Sequence, residues 1–187
     1  MAPPVFINEE SDGTLVSLSC SGDRRAFEAL VHRYEKPVYN AAMRMLHDRE
    51  EAQDVSQTVF LKVYEHLAEY DPSHKFYSWI YRIALNESIN SLQRRRPRAP
   101  LDLDMVDGEP GPDDAVRSDQ LHRGLTAAIM TLRDEYRAVI VLRHFLGCSY
   151  EDIAAILEVP EKTVKSRLFS ARQLLKAAME SKGWSAA

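Results

Sequence analysis

The 187-residue chain carries 24 Lys and Arg against 28 Asp and Glu, and 45% of it is hydrophobic. This is the make-up of an ordinary folded protein, and the length fits two small domains of under about a hundred residues each. Collagen-like, disordered and disulfide-stapled classes are excluded, since Cys20 and Cys148 are the only cysteines.

No apolar run approaches the roughly 18 residues of a membrane span. The opening Met-Ala-Pro-Pro-Val-Phe-Ile-Asn-Glu-Glu lacks the basic start and apolar stretch of a signal peptide, so a reducing, cytoplasmic location is expected. The net charge of −4 hides a segregation: residues 1–96 sum to −2, 97–116 to −5 and 117–187 to +3. On a finer scale 48–69 is acidic by −4, whereas 74–96 and 160–182 are each basic by +4. Two basic patches on a mildly acidic chain suit a polyanion-binding surface, with two solvated helix faces as the plainer alternative.

In chain order, residues 1–22 form an N-terminal extension without an assigned element. After Gly22, with Asp23 as cap, apolar residues recur at Phe27, Leu30, Val31, Tyr34, Val38, Ala41, Met45 and Leu46. That one-sided stripe predicts a helix, with Pro37 as a possible bend. A second helix from about Asp48 places Ala52, Val55, Val59, Val63 and Leu67 inside and ends before Asp71-Pro72. A third opens near Ser73 and runs through Trp79, Ile80, Ile83 and Ala84 to Arg96-Pro97. Residues 97–116, with four prolines, two glycines and six acids, read as an extended acidic linker. Beyond it Leu121, Leu125, Ala128, Ile129 and Leu132 predict a fourth helix. The run Ala138-Val139-Ile140-Val141-Leu142 has strand propensity but no partner strand, so a largely buried helix is the better reading. The fold class is all-α.

Between Ser149 and Met179 the local signal is strongest. Ser149-Tyr150-Glu151-Asp152 is a variant of the capping box, and a short helix follows that buries Ile153, Ala154 and Leu157. Glu158-Val159-Pro160 breaks it, and proline is tolerated at the start of the next helix. That helix turns Val164, Leu168, Ala171 and Leu175 inward and leaves Lys162, Thr163, Lys165, Ser166, Arg167 and Arg172 exposed. A helix, a tight turn and a second helix with basic and hydroxylic first turns form a helix-turn-helix, whose N-terminal residues reach base edges in the major groove. A purely structural helical hairpin is the alternative.

The string from Leu142 to Ala154, Leu-Arg-His-Phe-Leu-Gly-Cys-Ser-Tyr-Glu-Asp-Ile-Ala, then Val159 to Leu168, Val-Pro-Glu-Lys-Thr-Val-Lys-Ser-Arg-Leu, closely resembles the promoter-binding domain of bacterial extracytoplasmic-function (ECF) sigma factors. Asp48 to Phe60 resembles that family's polymerase-binding helix, and Phe76 to Asn86 its melting helix. The resemblance spans roughly Asp23 to Met179. It implies a region 2-like domain over 23–96, the linker over 97–116 and a region 4-like domain over 117–182.

For the −35 element the resemblance implies readers at Lys165, Ser166, Arg167 and Phe169, with Arg143 on the backbone. Lys162, Thr163 and Arg172 complete the candidate set. Ser170 stands where many relatives carry a basic residue, and Lys162 where they carry a glycine. For the −10 element, capture of an unstacked strand needs aromatic faces and cations. The candidates are His74, Lys75, Phe76 and Tyr77, with Arg82, Asn86, Asn90 and Arg94 along the helix. Trp79 and Tyr81 fit a core better than a base platform. Core RNA polymerase contacts are implied at Asp54, Gln57 and Phe60, and the linker is implied to thread the polymerase cleft.

The implied partners are core RNA polymerase, promoter DNA and an anti-sigma factor. The chain has no Gly-rich phosphate loop, no His-x-x-x-His or Cys-x-x-Cys spacing and no nucleophile elbow, so no catalysis, cofactor or metal is expected. Cys148 reads as a half-buried structural thiol. Two alternatives remain at this point: a sigma-mimicking binder of an anti-sigma partner, and a helix-turn-helix regulator that binds an operator.

Overall fold

The computed structural model describes residues 10–95 and 123–181; the expected linker lies outside them. Among the described residues every regular element is helical, and no helix is long and apolar enough to cross a membrane.

The N-terminal half begins with a helix absent from the sequence reading, α1 (Asp12–Cys20). The Ser11 side chain caps it by accepting from the Thr14 amide at 3.2 Å. Nine residues without a one-sided stripe carry little helical signal, and α1 owes its stability to packing. Leu15 and Val16 are buried, while Asp12 accepts from Arg33 Nη1 and from the Tyr34 hydroxyl, both at 2.5 Å.

α2 (Arg24–Leu46) opens on Asp23, which accepts from the Arg25 amide at 2.9 Å. It continues through Pro37 and closes at His47, whose φ of 51° is left-handed. α3 (Arg49–His66) opens on Asp48, which accepts from the Glu51 amide at 3.0 Å. Its buried residues are Ala52, Val55, Val59 and Val63, with Leu67 buried just beyond, as the spacing predicts. α4 (Phe76–Arg95) starts three residues later than expected. Asp71 forms a turn instead, its side chain accepting from the Ser73 amide at 2.8 Å and its carbonyl from the His74 amide at 3.1 Å. Lys62 to Glu87 at 2.7 Å and Ser91 to Glu51 at 2.6 Å join α3 to α4.

The C-terminal half contains α5 (123–131), α6 (Asp134–Ile140), α7 (Tyr150–Leu157) and α8 (Glu161–Glu180). Residues 138–142 are all buried and helical, so tertiary packing overrides their strand propensity. A π-helical turn, Val141–Phe145, continues α6. It ends with the Cys148 amide donating to the Leu142 carbonyl at 3.0 Å, across Gly147 at φ 70°. In α7 the buried residues are Ile153 and Ile156, whereas Ala154 and Leu157 are only half-buried, a correction to the expected face.

The two halves are packed together. One continuous cluster of buried apolar residues runs from Leu15 through α2–α4 to Ala171. α4 lies against α7, and α2 against α6 and the π turn.

Candidate nucleic-acid and polymerase-binding surfaces

The capping box that opens α7 forms in full. Ser149 Oγ accepts from the Asp152 amide at 3.0 Å, and Asp152 Oδ2 accepts from the Ser149 amide at 3.0 Å. α7 closes at Glu158, left-handed at φ 53°, and Pro160 caps α8. α8 buries Val164, Leu168 and Ala171. Lys162, Lys165, Ser166 and Phe169, spaced i, i+3, i+4 and i+7, therefore share its outer face, with Arg172 at the edge. Phe169 stands on this face 64% exposed, within reach of a bound partner.

Other expected readers stand elsewhere. Thr163 is half-buried, and Arg167 points off that face, 3.6 Å from Glu135 of α6. Arg143 donates to the Cys148 carbonyl at 2.8 Å and stacks over the Tyr150 ring at 5.0 Å. Lys165 approaches the same ring at 5.9 Å and pairs with Glu161 at 3.0 Å. A cation, a ring and a second cation thus lie together beside the start of α7.

On α4 and the turn before it, His74 and Lys75 are exposed, as are Asn86, Asn90 and Arg94 at four-residue spacing along one helix face. Phe76 is a correction: it is 2% exposed, edge-on to Tyr34 and Tyr70 and tilted on Trp79. A ring enclosed this way is core and offers no face to a base. Tyr81 is also buried, and Trp79 packs on the core from its edge, as the spacing indicated. Tyr77 is half-buried and remains the reachable aromatic of the set.

Tyr77, Lys75 and Arg82 all reach across to α7. The Tyr77 hydroxyl donates to Asp152 Oδ1 at 2.6 Å, and Lys75 Nζ to the same oxygen at 3.0 Å. Arg82 pairs with Glu158 at 2.7 Å and donates to the Ala155 carbonyl at 2.6 Å. Burial alone would raise the Asp152 carboxyl, but hydrogen bonds from Ser149, Tyr77 and Lys75 outweigh it and hold the group well below the usual carboxylate range. Lys75 is raised in turn by its bonds to Tyr77 and Asp152. Arg82, Asn86, Arg133, Glu135, Glu158 and Arg167 line a cleft of about 370 Å³ between the halves.

The third surface is on α3. Asp54 and Gln57 are exposed, and Gln57 and Phe60 edge a groove of about 420 Å³ against Val31, Glu35 and Tyr39 of α2. Leu61 and Tyr64, 63% and 65% exposed, extend this face at i+4 and i+7 from Gln57. Neither belongs to the contact set that the resemblance implies. Their offset from the buried Ala52-Val55-Val59-Val63 stripe is the signal that locates them outside.

Comparison with known proteins identifies the two halves. Sigma-70 region 2 matches residues 30–98, and sigma-70 region 4 matches residues 122–175. The RNA polymerase sigma-H factor of Pseudomonas aeruginosa is 35% identical, with 94% of this chain and 97% of that protein aligned. The ECF RNA polymerase sigma factor SigW of Bacillus subtilis is 34% identical over 83% of this chain and 89% of its own. For the ECF RNA polymerase sigma-E factor of Escherichia coli the figures are 35%, 88% and 92%.

The chain belongs to the ECF sigma factors. In the terms of that family α7 and most of α8 lie within region 4, and α3 and α4 within region 2. Among solved structures, CnrH in complex with the cytosolic domain of CnrY resembles this sigma factor with a TM-score of 0.72 and 27% identity, over 92% of this chain and 99% of CnrH. The Bartonella quintana RpoE, solved with the anti-sigma factor NepR, shares the fold at a TM-score of 0.67 and 20% identity, over 82% and 96%.

Proposed function

We propose that this ECF sigma factor is the promoter-selecting subunit of a bacterial RNA polymerase, working in the cytoplasm without catalysis of its own. Three working units follow: residues 23–96 for polymerase and the −10 element, 97–116 as linker and 117–182 for the −35 element. The observation that carries this is the outer face of α8, where Lys162, Lys165, Ser166 and the exposed Phe169 stand in one row behind a closed capping box. Backbone cations orient such a helix on duplex, and the short polar side chains read base edges.

Opening the −10 element without ATP demands that the freed strand be held as it separates. Tyr77 supplies a ring for stacking, and Lys75, Arg82 and Arg94 supply cations. Asp54, Gln57 and Phe60 dock on the polymerase through an interface with an aromatic anchor. An anti-sigma protein is the expected regulator. The cleft between the halves is large enough to admit a peptide segment, and CnrH, similar over nearly its full length, is known in complex with the cytosolic domain of CnrY.

Core RNA polymerase supplied with this protein on a promoter library tests the reading. Selective initiation on a subset of templates supports it. Binding to an anti-sigma protein without promoter binding or selective initiation points to a sigma mimic, and DNA binding without polymerase binding points to an operator-binding regulator.

A further inference from the structure

We propose that Lys62 and Glu87 are positioning residues for strand opening. Their ion pair sets the rotation of α4 on α3, and with it the aim of Asn86, Asn90 and Arg94 relative to the polymerase-docking face. The inference rests on the sigma-factor reading, because both faces that it connects are assigned there.

The charge pattern singles the pair out. Residues 48–69 carry six acids against Arg49 and Lys62, and residues 74–96 carry five bases against Glu87 alone. Two of these exceptions meet: Lys62 Nζ donates to Glu87 Oε1 at 2.7 Å. General attraction between an acidic helix and a basic one would place an acid on α3 and a base on α4 instead. The Glu87 side chain is only 11% exposed, and an enclosed carboxylate is costly without a partner. α4 therefore keeps the rotation that brings Glu87 to Lys62.

Position shows what the pair governs. Glu87 directly follows Asn86, and Ser91 follows Asn90, so the row that meets α3 runs beside the exposed row of Asn86, Asn90 and Arg94. Lys62 likewise follows the exposed Leu61 on α3. A second tie stands apart from the first: Ser91 Oγ donates to Glu51 Oε2 at 2.6 Å. Glu51 and Lys62 lie about three turns apart on one side of α3. A helix tied at one point can roll about that contact, whereas one tied at two must break a bond to do so. Apolar contacts between the helices are non-directional, and a charge-assisted hydrogen bond has a preferred line. With α3 docked on the polymerase, a roll of α4 moves Asn86 and Asn90 off the strand and leaves α8 untouched.

The test uses the full chain with core RNA polymerase, on a template that the wild type selects from the promoter library. Fluorescence of 2-aminopurine in the −10 element reports the opening rate at saturating protein, and titration of labelled protein reports polymerase affinity separately. Glu87→Lys decides between positioning and plain charge. It breaks the pair yet adds a cation beside the strand-facing row. Positioning predicts opening about tenfold slower, and attraction for phosphate alone predicts faster opening. Adding Lys62→Glu restores the pair with its polarity reversed and should recover the rate to within about threefold. Glu87→Gln keeps the shape and an acceptor for Lys62, so it should fold as the wild type does and open about twofold to threefold more slowly. Polymerase affinity of both Glu87 variants should stay within about twofold of the wild type. Glu28→Gln removes an exposed acid from α2 and should leave opening unchanged.

Wild-type or faster opening by Glu87→Lys, no recovery in Lys62→Glu/Glu87→Lys, equal slowing by Glu28→Gln, or slowing matched by lost polymerase affinity would each overturn the proposal. Should Glu87→Lys fail to fold, Glu87→Gln decides alone, and opening as fast as the wild type overturns it. A wild type that opens no template defeats the sigma-factor reading itself, whereas one that opens a template no faster than Glu87→Lys defeats only the positioning role.

Discussion

Arg137, on α6, donates from Nη1 to the Met45 carbonyl at the end of α2 across 2.6 Å of buried interface. The same guanidinium serves the Met130 and Leu132 carbonyls at 2.7 and 3.0 Å through Nη2. One side chain 92 residues from Met45 thus satisfies helix-end carbonyls from both halves. Arg44 adds a second cross-contact, its guanidinium 4.3 Å above the Phe145 ring.

Replacing Arg137 with Met should cost about 2–4 kcal/mol, because the thioether fills much of the space but leaves the carbonyls without those donors. Urea unfolding of the full chain measures this. Lysine should not rescue, since a single ammonium cannot span the planar fork. A loss below about 1 kcal/mol would show that water replaces the guanidinium freely.

The α3 surface carries a separable prediction. Phe60→Ala and Leu61→Ala should each weaken core polymerase binding by more than about 1 kcal/mol, as apolar anchors do at interface centres. Leu61 is 63% exposed, so its loss should change folding stability little, whereas Phe60 packs on the core and its loss should also lower stability. Titration of labelled variants into core polymerase checks it, and wild-type affinity for Leu61→Ala would confine the contact to the groove beside Phe60.

On duplex DNA, Arg167 and Lys162 should behave differently. Arg167→Ala should cost about 1–3 kcal/mol and relax base preference, if Arg167 leaves Glu135 to reach the groove. Lys162→Ala should weaken all sequences alike and reduce the salt slope by about 1. Gel shifts at several salt concentrations distinguish them. A base preference unchanged in Arg167→Ala would assign Arg167 to its ion pair with Glu135 and leave reading to Lys165, Ser166 and Phe169.

What the sequence revealed was what lies close along the chain. The caps at Asp23 and Ser149 form within a few residues of themselves, and the α3 stripe needs only helical spacing. The bond from Tyr77 to Asp152 was illegible because the two are 75 residues apart, and nothing local in either marks a partner. Phe76 was misread for a related reason. An aromatic beside a basic helix resembles a base platform until the rings of Tyr34 and Tyr70 enclose it. Arg137 carries no local signal either, since a single arginine within a short helix reads as solvated.

Alkaline pH offers a further test of how tightly Tyr81 of α4 and Cys148 of the C-terminal half are sealed. Burial pushes the Cys148 thiol from its ordinary 9.0 up to about 11, and burial raises the Tyr81 hydroxyl to about 12. Both groups are neutral in the folded chain and ionise earlier when unfolded. Their contribution to stability is therefore complete below pH 9 and is lost as pH rises toward 11 and 12. The urea midpoint should be level up to about pH 8.5 and fall above it, and Cys148→Ala, though weaker throughout, should fall less steeply between pH 9 and 11. Under native conditions near neutral pH an aromatic disulfide reagent should modify exposed Cys20 at once and Cys148 only as the protein unfolds. Equal rates at the two thiols would mean that the packing around Cys148 opens far more readily than its burial implies.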